Sequence, residues 1–356
     1  MKFRNLAIAM ISLALMQAGW SLPASAAASG SEGAATKTVK KSVKRSVSAP
    51  AKKAVKKRVS RKAVAQQEAR RVKVSLRRDA VIPDASIDST PLQLDSAGLP
   101  HLRSAAFFVM NQNTGHVILE KKGDSVLPIA SITKLMTAMV VLDAGQSLSE
   151  EISISEGDID TLKGTGSRLS LGTRLTREEM LQLALMSSEN RAASALSRHY
   201  PGGEAAFVAA MNVKARMIGL TETHFSDPTG LTPENVSSPH DLARMVSAAS
   251  TYPLIREFST TSERYVQIGS RMHRFGNTNS LVRSPDWEIG VQKTGYIREA
   301  GRCLVMQAWL LKQPVIIVLM DSDGRYSRTA DAVRIKKWLE AAGPQRMATA
   351  VGKENI

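Results

Sequence analysis

Ser131 and Lys134 stand three positions apart at the head of the apolar run Ser131-Ile132-Thr133-Lys134-Leu135-Met136-Thr137-Ala138, and that pair can do chemistry. A serine hydroxyl is a poor nucleophile until a base lies within hydrogen-bond reach. A helical spacing of three puts both side chains on one face. A lysine on a helix that is apolar nearly all round must be paired or deprotonated, because loss of water disfavours its charged form. Its one polar neighbour a turn away on that face is the Ser131 hydroxyl, so the pair reads as a nucleophile with its base. A second cation nearby would depress the lysine further, and Lys293 is the expected source. Serine at the N-terminal end of a helix also meets the positive end of the helix dipole, where a developing oxyanion is favoured.

Two more short motifs follow in order, Ser188-Glu189-Asn190 and Lys293-Thr294-Gly295. Each alone is common, and many K-T-G tripeptides are ordinary turns. The weight lies in the conjunction: S-x-x-K on a buried helix, S-x-N at a helix break and K-T-G closing a strand is the order used by penicillin-binding proteins and class A β-lactamases. Cys303, the single cysteine, lies in the apolar stretch Cys303-Leu304-Val305-Met306 with no clustered ligands. It reads as a buried small hydrophobe, and one cysteine excludes an intrachain disulfide.

The elements that must hold these residues are legible from pattern. Residues 105–110 and 116–120 read as two strands joined by the turn Asn113-Thr114-Gly115. Residues 131–144 form the apolar helix. Thr176-Arg177-Glu178-Glu179 is a capping box that opens a helix through Met186, broken at Ser187-Ser188 and resumed over 190–200. A loop-rich stretch follows, including Asp227-Pro228-Thr229-Gly230 and Asn277-Thr278-Asn279. Strands are expected over 289–294, 304–311 and 315–320, then a helix over 330–342. Strands first, helices in the middle, strands and a closing helix last imply an α+β sandwich of one antiparallel sheet and helices, with a single catalytic domain.

The stretches Pro128 to Ala138, Leu183 to Ala193, Lys293 to Tyr296, Ala300 to Met306 and Asp227 to Leu231 resemble the low-molecular-weight serine DD-peptidases of the penicillin-binding protein 7 type, the D-alanyl-D-alanine endopeptidases. The likeness runs over about residues 105–339 and implies a β-lactamase/transpeptidase-like fold. It implies Ser131 as the acylated nucleophile and Lys134 as its general base. Ser188 would relay a proton to the leaving amine, and Asn190 would bind the substrate's acyl side. Lys293 and Thr294 would anchor the carboxylate of substrate or β-lactam, and the backbone N–H groups of Ser131 and Tyr296 would form the oxyanion hole. Gly295 would let substrate backbone lie close to its strand. Glu189 takes the place of an aspartate, with its side chain expected to point away and without a role.

The implied substrates are peptidoglycan stem peptides and cross-bridges, with β-lactams as inhibitors. Every proton transfer and the oxyanion have a protein group, so no cofactor and no metal is expected. A D-alanyl-D-alanine carboxypeptidase is the alternative, since short motifs do not separate it from the endopeptidase. A β-lactamase would need a second base in an E-x-x-L-N loop, and Glu234-Asn235-Val236 lacks that pattern. A catalytically dead wall-binding protein would not need all five of Ser131, Lys134, Ser188, Asn190 and Lys293.

Charge is distributed unevenly along the 356 residues. Residues 27–78 hold 17 basic and two acidic residues, +15 of the chain's net +16, so the part from Asp79 onward is close to neutral. Residues 1–26 carry Lys2 and Arg4, an apolar run and the exit Ala24-Ser25-Ala26, the layout of a secretory signal peptide. The expected organisation is a signal peptide over 1–26, a basic disordered tail over 27–86, the catalytic domain over 87–345 and a short tail over 346–356, with a periplasmic location. The basic tail has no aromatic residue on which bases could stack, and export argues against nucleic acid. Anionic envelope polymers or lipid headgroups are its expected partners, with the protein held peripherally at membrane or wall. A protein shortened to begin near Asp79 is therefore expected to keep its rate of acylation by penicillin but to lose salt-sensitive retention on anionic vesicles, the screening length being ~10 Å at 0.1 M salt. Co-sedimentation across a salt series checks this, and a large loss of acylation on truncation would contradict it.

Overall fold

The computed structural model describes residues 91–347; the expected signal peptide, basic tail and most of the C-terminal tail lie outside them. Its frame is a five-stranded antiparallel sheet in the order β2-β1-β11-β10-β9. The strands are β1 (Ser104–Asn111), β2 (Val117–Lys121), β9 (Ile289–Ile297), β10 (Gly301–Leu310) and β11 (Gln313–Ser322); the short strands β3 (Leu127–Pro128) with β6 (Val236–Ser237), and β4 (Glu151–Ser153) with β5 (Arg174–Thr176), pair outside it. Successive side chains of a strand point to opposite faces, and both faces of this sheet are covered. On β11, Ile316, Val318 and Met320 enter one core, and Val315, Ile317 and Leu319 enter the other. That is why these segments read as unbroken apolar runs rather than as alternating ones.

The larger core lies under six helices: α1 (Lys134–Asp143), α2 (Arg177–Met186), α3 (Asn190–Arg198), α4 (Gly203–Met217), α5 (Pro239–Ala249) and α6 (Pro253–Thr260). The opposite face is covered by α7 (Ser327–Ala342) through Ala332, Val333, Ile335, Trp338 and Leu339. Asp331, fully buried, joins that helix to β1 by accepting from the Arg103 and Ser104 N–H groups and the Ser104 hydroxyl. The sheet is thus sandwiched, with helices on both faces rather than on one.

Eight of the ten residues of α1 are buried, Lys134 to Val141, as expected of a helix apolar on all sides. The apolar helix begins one turn later than the sequence implies: Ala130–Thr133 form a 3₁₀ turn, with Ser131 inside it. The capping box at Thr176 is present, its hydroxyl accepting from Glu179 N–H at 3.1 Å. The break before α3 falls at Ser188, at φ +61°.

The stretch expected to be loop-rich instead holds α4, α5, α6 and a hairpin of β7 (Glu263–Ile268) with β8 (Arg271–Gly276). Pro239 and Pro253 misdirect the sequence reading here. Each is the first residue of its helix, where the missing N–H costs nothing, and Ser238 caps α5 by accepting from Asp241 N–H.

The loop over 226–235 packs on the 3₁₀ turn that holds Ser131. Asn235, fully buried, accepts from Ser226 and Asp227 N–H and donates to Thr133 Oγ1 at 2.9 Å, while Thr133 Oγ1 donates to Ala130 O at 2.8 Å. Gly230 sits at φ +80°, and a Cβ there would fall 1.9 Å from Ala130 O. Gly230→Ala is therefore expected to cost about 3 kcal/mol or more, from a left-handed backbone and overpacking together, and to lower Tm by roughly 6–12 °C. Thermal unfolding checks this.

Candidate active site

Three segments bring their polar atoms to one buried amine. Lys134 Nζ, on a side chain 1 % exposed, lies 2.9 Å from Ser131 Oγ, 2.7 Å from Asn190 Oδ1 and 2.6 Å from Thr229 O. The first partner comes from its own turn, the second from the start of α3 and the third from the 226–235 loop. A neutral amine has two N–H groups and one lone pair. Asn190 Oδ1 and Thr229 O are pure acceptors and take both N–H groups, which leaves the lone pair for the Ser131 hydroxyl.

Burial brings the Lys134 pKa down to about 7, against the opposing pull of the Asp227 and Glu189 charges. This differs from the expectation that Lys293 would be the depressing charge. Desolvation dominates at Lys134. Lys293 is held well below the ordinary lysine range by its own burial, by Lys134 and by Arg328.

Lys293 belongs to a second pair. Its Nζ lies 2.9 Å from Ser188 Oγ and 2.9 Å from Thr294 O. Among the described residues no hydrogen bond joins Ser188 to Ser131 or Lys134, so the expected residues form two hydroxyl and amine pairs on facing walls. Thr294 Oγ1 donates to Thr278 Oγ1 at 2.7 Å. The Lys293-Thr294-Gly295 motif lies within β9, which runs on to Ile297 rather than closing there.

Among the described residues β9 pairs with β10 on one side only, so its other edge carries no strand partner. Gly295 also serves the packing of the protein itself. A Cβ on it would point at the nucleophile turn, 2.8 Å from Ile129 O and 3.3 Å from Ser131 N, so the missing side chain lets β9 close on that turn. The same approach brings the backbone beside Tyr296 to the Ser131 N–H. The Tyr296 side chain is exposed, with the Arg302 guanidinium 4.4 Å from its ring centre.

Several residues of the site carry no sequence signal of their own. Thr229 contributes only a carbonyl oxygen, which any residue could supply. Arg328, on the first turn of α7, acts on Lys293 through its charge, and its Nη1 is buried without a partner. Glu189, expected to point away and to have no role, has a structural one. It is buried and accepts from Ser167 Oγ at 2.6 Å and Arg168 Nη2 at 3.2 Å, tying down the loop over 160–169. Cys303 is buried and its thiol is pushed up to about 11 by desolvation, which leaves it inert.

The arrangement suits acyl transfer: a hydroxyl against a neutral amine, a second hydroxyl against a second amine, and a free strand edge between them. Comparison with known proteins agrees. Residues 93–324 match the model of a family described as D-alanyl-D-alanine carboxypeptidase. The chain is 46% identical over 249 residues to a D-alanyl-D-alanine endopeptidase of Pseudomonas aeruginosa, covering 68% of this chain and 80% of that one. It is 44% identical over 247 residues to a D-alanyl-D-alanine endopeptidase of Escherichia coli, covering 69% and 80%. The crystal structure of a Streptomyces DD-transpeptidase superposes with a TM-score of 0.62 at 28% identity, over 67% of this chain and 97% of that one. With the family model spanning well over half the sequence, and the lysine-paired serine inside the matched region, the chain belongs to the D-alanyl-D-alanine carboxypeptidase family of serine peptidases.

Proposed function

We propose that the protein is a periplasmic D-alanyl-D-alanine endopeptidase that opens peptidoglycan cross-bridges through an acyl-enzyme on Ser131. The observation that carries this reading is the saturation of the Lys134 N–H groups by Asn190 Oδ1 and Thr229 O with Ser131 Oγ at 2.9 Å. The lone pair of Lys134 takes the Ser131 proton as Oγ bonds to the D-alanyl carbonyl carbon. The charge that develops on the carbonyl oxygen meets the backbone N–H groups of Ser131 and Tyr296, at the corner where β9 approaches the nucleophile turn.

Collapse breaks the C–N bond, and the leaving nitrogen needs one proton. Ser188 is the hydroxyl able to deliver it, with Lys293 at 2.9 Å to replace it. Water then attacks the ester carbonyl, its proton passing to the Ser188 and Lys293 pair that gave one up, and Lys134 returns its proton to Ser131 Oγ as the ester C–O bond breaks. The peptide lies along the free edge of β9 as an added strand. Lys293, Thr294 and Arg328 meet the carboxylate of the leaving residue, and Asn190 meets the acyl side.

Cleavage of the cross-bridge, rather than removal of a terminal D-alanine, is supported by the likeness to two proteins named as endopeptidases. The family description favours carboxypeptidase as the second reading. A secretory leader over residues 1–26 would carry the enzyme to its substrate; no helix among the described residues is long and apolar enough to cross a membrane. Incubation with purified sacculi followed by mass spectrometry separates the two: release of monomeric muropeptides is expected, and free D-alanine alone would assign a carboxypeptidase.

The base has its own test. Because burial lowers the Lys134 pKa to about 7, its ammonium form dominates below that pH and cannot accept a proton. Acylation of Ser131 by a labelled penicillin is expected to fall about tenfold per unit as pH drops below that value. Lys134→Arg is expected to be inactive throughout, since guanidinium stays protonated. The rate of label incorporation across pH, with the adduct located by peptide mapping, checks both.

A further inference from the structure

Asn190 can do its work only one way round. Its Oδ1 faces Lys134 Nζ at 2.7 Å and its Nδ2 faces Thr165 Oγ1 at 3.0 Å. A side-chain amide turned by half a revolution keeps its shape and exchanges donor for acceptor, so its neighbours' polarity sets the orientation. Lys134 does not settle this by itself, because a neutral amine both donates and accepts. Thr165 settles it. Its hydroxyl donates its single hydrogen to Asp160 Oδ2 at 2.6 Å. With that hydrogen committed to a carboxylate, Thr165 Oγ1 can only accept from Asn190.

Asp160 is itself fixed as an acceptor. Its Oδ1 takes the N–H groups of Leu162 and Lys163, both at 2.9 Å, and its Oδ2 takes Thr165 N–H at 2.8 Å. Partial burial acts to raise its pKa, but the Thr165 hydroxyl and the Lys163, Thr165 and Leu162 N–H groups together hold the carboxyl below its usual range. The loop that carries both residues is tied at its edges. Glu189 holds Ser167 and Arg168, Arg191 donates to Leu169 O at 2.7 Å, and Lys163 pairs with Glu299 in the turn between β9 and β10.

We propose that Asp160 and Thr165 are positioning residues that fix the polarity of the Asn190 amide and thereby aim the lone pair of Lys134 at Ser131. The inference rests on the reading of Ser131 and Lys134 as nucleophile and base. A hydrogen-bond chain runs from Asp160 through Thr165 and Asn190 to Lys134, every link with a determined direction. If the amide turned over, its N–H groups would face Lys134. They would disfavour the ammonium form and would donate to the lone pair that Ser131 needs.

The test is the rate of acylation of the full chain by a fluorescent penicillin across pH, in the wild type and in Thr165→Val, Thr165→Ser and Asp160→Asn. The other groups around Lys134, namely Asp227, Glu189 and Lys293, are the same in all four proteins. Thr165→Val and Asp160→Asn are expected to lower the high-pH plateau roughly tenfold, about the value of one hydrogen bond at the base. They are also expected to move the midpoint of the pH profile to lower pH. Thr165→Ser, which keeps the hydroxyl, is expected to restore both. The midpoint, unlike the rate, does not depend on the fraction of protein folded. A lowered plateau with an unmoved midpoint, or equal impairment in the valine and serine variants, would overturn the proposal. A wild type that takes no label on Ser131 would overturn the nucleophile assignment as well, whereas a labelled wild type with an indifferent Thr165→Val sinks the positioning role alone.

Discussion

A lysine amine with almost no contact with water is the constraint around which this domain is arranged. As an isolated ammonium in that position, Lys134 would carry a desolvation penalty of several kcal/mol. Neutral, it still needs acceptors for two N–H groups, because unpaired buried donors are costly. The chain meets that need from two segments far apart in sequence, the first residue of α3 and a carbonyl in the 226–235 loop, while the 3₁₀ turn before α1 sets the Ser131 hydroxyl against the lone pair. Asp227 and Glu189 act against the depression, and both are occupied elsewhere. Asp227 caps its own loop by accepting from Thr229, Gly230 and Thr232 N–H, and Glu189 holds Ser167 and Arg168. Their charges are close enough to temper the shift to about 7 without displacing the partners that leave a lone pair free.

Holding that arrangement requires backbone in unfavourable conformations at the residues that flank it. Ala130, just before the nucleophile, has φ +48°, and Ser188 has φ +61°; for residues other than glycine each costs on the order of 1 kcal/mol. The surroundings over-determine both. Ala130 O is gripped by Thr133 Oγ1, which Asn235 in turn holds, and Gly230 lies against it with no room for a side chain. Ser188 is fixed by Lys293, and the strand carrying Lys293 can come close only because residue 295 has no Cβ. The glycines of the motifs thus serve the meeting of protein segments.

Residues that need a particular side chain were legible in the sequence; residues that need only a place were not. Ser131, Lys134, Ser188, Asn190 and Lys293 stood out because a hydroxyl or an amine at fixed spacing is rare enough in conjunction to notice, and the structure gathers all five. Thr229 escaped because its contribution is a backbone carbonyl, and Arg328 because 35 residues separate it from Lys293 with no local pattern. Strands β1, β2, β9, β10 and β11 were found within a few residues, since apolar runs bounded by turns survive as a signal when both faces are buried. Helices α4, α5 and α6 were missed. Two of them begin with proline, a residue that punctuates loops and also starts helices, and only the cap at Ser238 distinguishes the two cases for α5. Glu189 was left without a role because the loop it holds, through Ser167 and Arg168, is more than twenty residues away in sequence and has no local pattern linking it to the helix break.

The electrostatics of substrate capture are local on this account. The part of the chain from Asp79 onward is close to neutral overall, so it has no strong single-sign field to draw an anionic polymer from a distance. What it has is a cationic corner, Lys293 and Arg328 with Arg302 beside them, part of it buried and mutually repelling. Within it Arg328 adds to the depression of Lys293 that burial begins, and Arg302 does the same to Arg328. On the proposed reading, an incoming carboxylate at the outer edge of β9 would relieve that repulsion as the scissile bond reaches Ser131. Binding energy for the carboxylate would thereby be coupled to the protonation of Lys293, whose contact with Ser188 is proposed to serve the leaving nitrogen. A substrate lacking the carboxylate would lose part of its affinity and also leave the second amine in the wrong charge state to supply a proton.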